Sequence, residues 1–213
     1  MGKECAGGQT SMTPHIHILL EGQTEEGFVR RLLTPYFASL GLHLNPIIVQ
    51  TRREDSRITN RGGYIPLARL EQQINRLLGD SSATAVTMMF DFYGMKNAFP
   101  DRINLQGTTG SQRVRQLEAI MASAIDNRRF IPYLQLHEFE AFLFVSPSDT
   151  ADVLGCQNQR MRIARVSQAF TSPEEINDDP ITAPSKRISA IDASYDKVFH
   201  GPLIASRIGL PML

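Results

Sequence analysis

Apolar residues fall into short runs that alternate with stretches of helical periodicity. Residues 15–20 form a brief β-prone run that stops at Glu21-Gly22. Over residues 24–38, Phe28, Leu32, Leu33 and Phe37 recur at the spacing of one helix face. Thr24 suits the N-cap, and Glu25 and Glu26 fall in the first turn, where the helix dipole favours acids. Pro35 is expected to kink or end this helix. Residues 45–51 predict a second strand, 52–63 a polar loop, and 66–78 a helix with Leu67, Leu70, Ile74, Leu77 and Leu78 on one side. Residues 83–90 are nearly all apolar, as in a strand buried on both faces, and the run ends at Asp91. Residues 92–110 read as loop, 112–126 as a helix, and 129–136 as a strand that ends at His137-Glu138. Residues 139–145 are apolar around Glu140 and can open a helix. From Pro147 the chain is helical in parts and turn-rich.

Strands alternating with helices predict an α/β fold with a largely parallel sheet flanked by helices. The expected organisation is a disordered leader over 1–13, an α/β core over 14–146, and a helical extension over 147–213 packed on the core. In such sheets, sites form beyond the carboxyl ends of the strands. Glu21, Asp91 and Glu138 each stand at the end of a strand-like run.

Composition narrows the class. The chain has 213 residues, 42% of them apolar and 21% charged, as in ordinary globular proteins. Cys5 and Cys156 lie far apart without metal-type spacing, which predicts a reducing, cytoplasmic setting rather than a disulfide framework. No apolar run approaches the roughly 20 residues of a membrane span. The formal net charge is zero, whereas a stand-alone nucleic-acid binder is usually basic. Nucleic-acid contact would then rest on local clusters: Arg30-Arg31, Arg52-Arg53 with Arg57 and Arg61, Arg128-Arg129, and Lys186-Arg187.

The acids carry the candidate chemistry. Glu21 either caps its turn, pairs with an arginine, or binds a ligand. Glu25 lies one turn further and can point back at the same spot. His137, Glu138 and Glu140 sit in apolar sequence, where they are costly unless paired or metal-bound. Glu138 and Glu140 share a face if a strand continues and diverge if a helix starts. Carboxylate oxygens suit Mg²⁺ or Mn²⁺. With no cysteine cluster and no spaced histidine pair, zinc is not expected. Carboxylate-bound Mg²⁺ serves phosphodiester hydrolysis, which also needs a cation near the phosphate. Lys186 is the candidate for that cation. His137, Ser185, Lys186 and Arg187 are the candidates for substrate contact. No Walker-type glycine loop is present.

Residues 21–26 (EGQTEE) after a short strand, followed by Asp91 after a second, resemble the TOPRIM domain of topoisomerases, primases and OLD-type nucleases. The chain resembles more closely a TOPRIM-like bacterial family, through residues 21–26, 89–94 (MFDFYG) and 132–141 (PYLQLHEFEA). With residues 175–178 (EIND), 183–187 (APSKR) and 195–197 (YDK), the order resembles the TOPRIM-like domain of unknown function four-two-seven-six over roughly residues 15–210. The resemblance implies a TOPRIM-like core, a metal-dependent nuclease activity, and a place in prokaryotic defence beside an ABC-type ATPase. It implies Glu21 and Asp91 as catalytic acids and metal ligands. Tyr93 stands where such nucleases place a second aspartate, so Glu25, Glu138 and Glu140 are expected to complete the shell. The competing reading is a non-catalytic regulatory subunit of the ATPase. A homo-oligomer is compatible with either, and no membrane contact is expected.

Overall fold

A computed structural model describes residues 13–50, 67–95, 109–176 and 181–213. Five parallel strands form the sheet: β1 (His15–Leu20), β2 (His43–Ile48), β3 (Ala85–Asp91), β4 (Phe130–Ile131) and β5 (Leu134–Gln135). Their order is β2-β1-β3-β4, and β5 also pairs with β3. Parallel strands need crossover connections, and the intervening helices supply them. The result is a Rossmann-like α/β fold.

The second strand starts and ends earlier than the sequence predicts. It places Pro46 opposite Ile18. Proline donates no backbone hydrogen bond, so a ladder tolerates it at an edge, which is where β2 lies. The predicted fourth strand is split into β4 and β5 around Pro132, each pairing separately with β3. The expected loop after Asp91 instead begins with a short helix, α4 (Phe92–Met95). The predicted leader up to residue 12, the loop over 52–63 and residues 96–108 lie outside the described residues.

The helical run after β1 does not end at Pro35. It proceeds from α1 (Gln23–Phe28) through a π turn (Val29–Leu33) into α2 (Thr34–Ser39). The Thr34 N–H donates to Val29 O across that wider turn. A proline clashes with the carbonyl one turn earlier, and the widened turn sits where that clash would fall. Gly22, not Thr24, occupies the N-cap, and Thr24 is buried.

Two apolar layers sandwich the sheet. On one face, α3 (Leu67–Leu78) and α5 (Gly110–Ile125) bury Leu70, Ile74, Leu117 and Met121 against Leu19, Val86 and Met88. Thr109 opens α5 with a reciprocal capping box to Gln112. On the other face lie α1, the π turn, a 3₁₀ segment (Phe139–Phe144) and the C-terminal helices. The latter are α6 (Pro147–Val153), α7 (Arg160–Gln168), α8 (Pro184–Ile191) and α9 (Lys197–Ile208). Ile163, Ile188 and Ile204 share one cluster with Ile18 and Leu20, so residues after 147 complete the core of this face. No described helix is long and apolar enough to cross a membrane.

Candidate functional site

The chain leaves β1 toward β2 on one side and reaches β3 on the other. This is a topological switch point, where α/β sheets open a crevice at the strand C-termini. Leu20 pairs with Met89, so Glu21 and Asp91 leave neighbouring strands at nearly the same level. The Asp91 N–H donates to Glu21 Oε2 across 3.3 Å. A Cβ at Gly22 would lie 3.3 Å from Glu25 Oε2, so the turn folds the buried Glu25 carboxylate back over its own N-terminus.

The segment after β5 brings two more acids. Glu138 precedes the 3₁₀ segment, and its Oε2 accepts from the Ser185 N–H at 3.0 Å. The N-cap of α8 is Ala183, which has no capping side chain, so Glu138 supplies the anion for that helix start. Glu140 is fully buried. Its Oε1 accepts from the Tyr195 hydroxyl at 3.3 Å and faces Lys197 Nζ at 3.7 Å. Its Oε2 has no hydrogen-bond partner among the described residues.

Helix α9 reaches the acids because small residues let it approach α1. A Cβ on Gly27 would stand 2.7 Å from Pro202 Cγ. A Cβ on Gly201 would stand 3.1 Å from the Phe139 ring and 3.4 Å from Thr24 Cγ2. Lys197 lies four residues before Gly201, on the same helix face. Its side chain is 49% exposed, so it stands at the rim of the cluster.

Electrostatics tie these groups together. Burial pushes the Asp91 carboxyl well above the usual range, and the charges of Glu21 and Glu25 add to it. Burial also raises Glu21; the Asp91 N–H opposes this and Glu25 reinforces it. Burial raises Glu140 against the pull of Lys197. For Lys197, burial acts downward, but Glu140, Glu25, Asp91 and Glu138 together outweigh it and the net shift is upward. Tyr195 is pushed far up by burial and then by Glu140, so it remains a protonated donor.

The cluster therefore holds more negative charge than Lys197 offsets. A buried carboxylate oxygen without a donor and an all-oxygen ligand set both fit a hard divalent cation. Among the described residues, the group of three or more candidate ligands with atoms all within 4.8 Å of one another is His15, His17 and Asp80.

The predicted substrate-binding residues divide differently. Lys186 is exposed, and the ammonium placed among the acids is that of Lys197. Arg187 donates from Nε to Thr182 O at 2.6 Å and lies over the Phe170 ring. His137 is buried, and Ser185 serves Glu138 through its backbone. The signal for Lys197 is present in the sequence as Tyr195-Asp196-Lys197. Its Asp196 caps α9 by accepting from the Phe199 N–H.

A family profile described as domain of unknown function DUF4276 matches residues 20–213. The chain belongs to the DUF4276 family. Every acid of the cluster and Lys197 lie inside the matched DUF4276 region, whereas His15 and His17 precede it. No curated protein and no solved structure matches this DUF4276 chain significantly.

Proposed function

We propose that the chain is a divalent-metal-dependent phosphodiesterase of the TOPRIM type that hydrolyses nucleic acid. One observation carries the reading. Glu21 and Asp91 converge at the switch point of the sheet, beside a buried Glu140 whose Oε2 lacks a donor. Glu21, Glu25, Asp91 and Glu140 would hold Mg²⁺ or Mn²⁺, with Glu138 contributing the oxygen not engaged by Ser185. The ion, when bound, supplies Lewis-acid polarisation of a phosphoryl oxygen and lowers the pKa of a bound water.

The chain's own groups have separate tasks. Lys197 offers its half-exposed ammonium to the negative phosphate, the task the sequence assigns to Lys186. Tyr195 orients Glu140. The Asp91 N–H fixes the Glu21 carboxylate against the strand ends. The TOPRIM resemblance supports nucleic acid as substrate and a role in prokaryotic defence beside an ABC-type ATPase.

Cleavage of single-stranded DNA, duplex DNA and RNA in Mn²⁺ tests this reading. Wild type is expected to cut at least one, and Glu21→Gln, Asp91→Asn and Lys197→Met to lose 10²-fold or more, the order seen on deleting a transition-state electrostatic contact. Equal activity in all four proteins would sink this site.

A second reading is favoured by one observation: no three acids of the cluster bring their oxygens within 4.8 Å of one another. In it the chain is a non-catalytic regulatory subunit of the ATPase. It predicts capture of the ATPase together with no calorimetric binding of Mg²⁺ at millimolar concentration.

A further inference from the structure

We propose that His15, His17 and Asp80 form a second metal site, independent of the acidic cluster, that takes a divalent first-row transition ion with zinc as its best fit. The site lies at the N-terminal end of β1, whereas Glu21 lies just beyond the C-terminal end. Residues two apart on a strand point to the same face, so His15 and His17 project together toward the segment that follows α3. Asp80 lies in that segment.

The geometry is close to a tetrahedral ligand set. Asp80 Oδ2 stands 3.1 Å from His15 Nε2 and 2.9 Å from His17 Nε2. Ligand atoms bound to zinc at about 2.0–2.1 Å in a tetrahedron are about 3.3 Å apart. The two Asp80–histidine separations need to open by only a few tenths of an ångström to admit the ion, and all three ligand atoms lie within 4.8 Å of one another. The two rings are nearly perpendicular, with centroids 5.1 Å apart, so their lone pairs can converge without stacking. The Asp80 side chain is 36% exposed, which leaves a fourth position for water. Two imidazoles and one carboxylate suit zinc and its neighbours and disfavour Mg²⁺, which prefers oxygen ligands throughout.

Surrounding groups hold the ligands in place, as outer-shell partners of metal sites do. Asp80 Oδ1 accepts from the backbone N–H and the hydroxyl of Ser82 at 2.9 and 2.6 Å, which turns Oδ2 toward the histidines. Arg129 fixes the segment by donating to the carbonyls of Leu78, Asp80 and Ala83. His17 Nδ1 is 3.0 Å from the side-chain amide of Asn45 on β2. Without metal, Nε2–H donates to Asp80 and Nδ1 accepts from Asn45. With metal, the proton moves to Nδ1, and a flip of the Asn45 amide presents Oδ1 to receive it. The amide can serve both states because its two ends are nearly the same shape.

The test is calorimetric titration of tag-free, chelator-stripped protein with ZnCl₂ in excess Mg²⁺, which competes with zinc for oxygen-only sites. Wild type and Asp91→Asn are expected to bind one zinc with equal affinity. His17→Gln and Asp80→Asn should bind at least 100-fold more weakly, and Asn45→Ala about tenfold more weakly. Unchanged zinc affinity in His17→Gln, or loss of zinc in Asp91→Asn alone, overturns the assignment. Cobalt(II) added to wild type gives a readout that depends on no variant. Intense visible bands of a four-coordinate site are expected, and the weak absorption of six-coordinate cobalt alone overturns it. Either outcome leaves the nuclease assay free to succeed or fail by itself.

Discussion

Lys197 Nζ faces Glu140 Oε1 across 3.7 Å, with the glutamate fully buried and the lysine 49% exposed. The pair is lopsided. The acid is the more desolvated partner, and the base can turn to water or to a ligand. A fully buried pair broken on one side loses about 3–5 kcal/mol, but an exposed partner reduces this toward 1 kcal/mol or less.

Opposite effects on stability are therefore expected from two substitutions in the acidic cluster. Lys197→Met should lower the stability of the metal-free protein by about 1 kcal/mol. Asp91→Asn removes a buried charge that Glu21 and Glu25 repel, and should raise Tm by about 2–4 °C, the shift per kcal/mol for a chain of this size. Thermal melts in EDTA check both. A fall in Tm for Asp91→Asn would show that its charge is already compensated.

Asp91, Glu21 and Glu140 are all raised in the folded chain, mainly by burial. The folded state then binds their protons more tightly than the unfolded state. Their contribution is complete below the unfolded values near 4, and it is lost as pH rises through the raised folded values. Asp80 has the opposite sign. Hydrogen bonds from Ser82, then His17 and His15, hold it low, so its contribution is present above about 4 and lost on further acidification. Lys197 is raised and keeps its contribution until the alkaline range. Metal-free protein should melt at falling temperature as pH rises from about 4 toward neutrality. Saturating Mg²⁺ should flatten that decline. A melting temperature that rises steadily over this interval would contradict the shared burial of the acids.

The crossing of α1 and α9 gives a prediction in packing terms. Gly27→Ala places a methyl group 2.7 Å from Pro202 Cγ, and overpacking of this kind costs about 1–3 kcal/mol. Removing the ring carbon with Pro202→Ala should recover part of the loss, so the double-mutant cycle should show coupling of at least about 0.5 kcal/mol, in the range usual for touching residues. Denaturant unfolding of the four proteins measures it, and strict additivity would mean the helices already separate there.

Arg129 joins the end of α3 to the segment before β3 through three carbonyl oxygens. Arg129→Lys keeps the charge but loses the planar fork, and about 1.5–3 kcal/mol should disappear with it. Zinc affinity should weaken in parallel, since Asp80 is held by the same fork. A lysine variant with wild-type stability would show that charge alone suffices.

β1, β3 and the first two acids are legible in the sequence because each of these two apolar runs ends abruptly in one carboxylate. Glu21 and Asp91 need only the rule that sites gather at strand C-termini. Lys197 is not legible in that way. Its place depends on Gly27, Gly201 and Pro202 letting two helices meet, a contact between distant parts of the chain. Lys186 carries the same charge near the start of helix α8, as Lys197 does at the start of α9. Glu138 is ambiguous for a related reason, since one of its oxygens serves the start of α8. His15 and His17 do not stand out because β1 reads as an apolar run. Their alternation is visible, but the partner that gives it meaning, Asp80, arrives from the far end of α3.

The docking of α9 on α1 also sets an order of events in biosynthesis. At about 5–20 residues per second, the ribosome delivers Lys197 about 5–20 s after Asp91. During that interval the acids exist without their ammonium, and the cluster is incomplete. The acidic cluster therefore gains its counter-charge only once α9 has been made and seated.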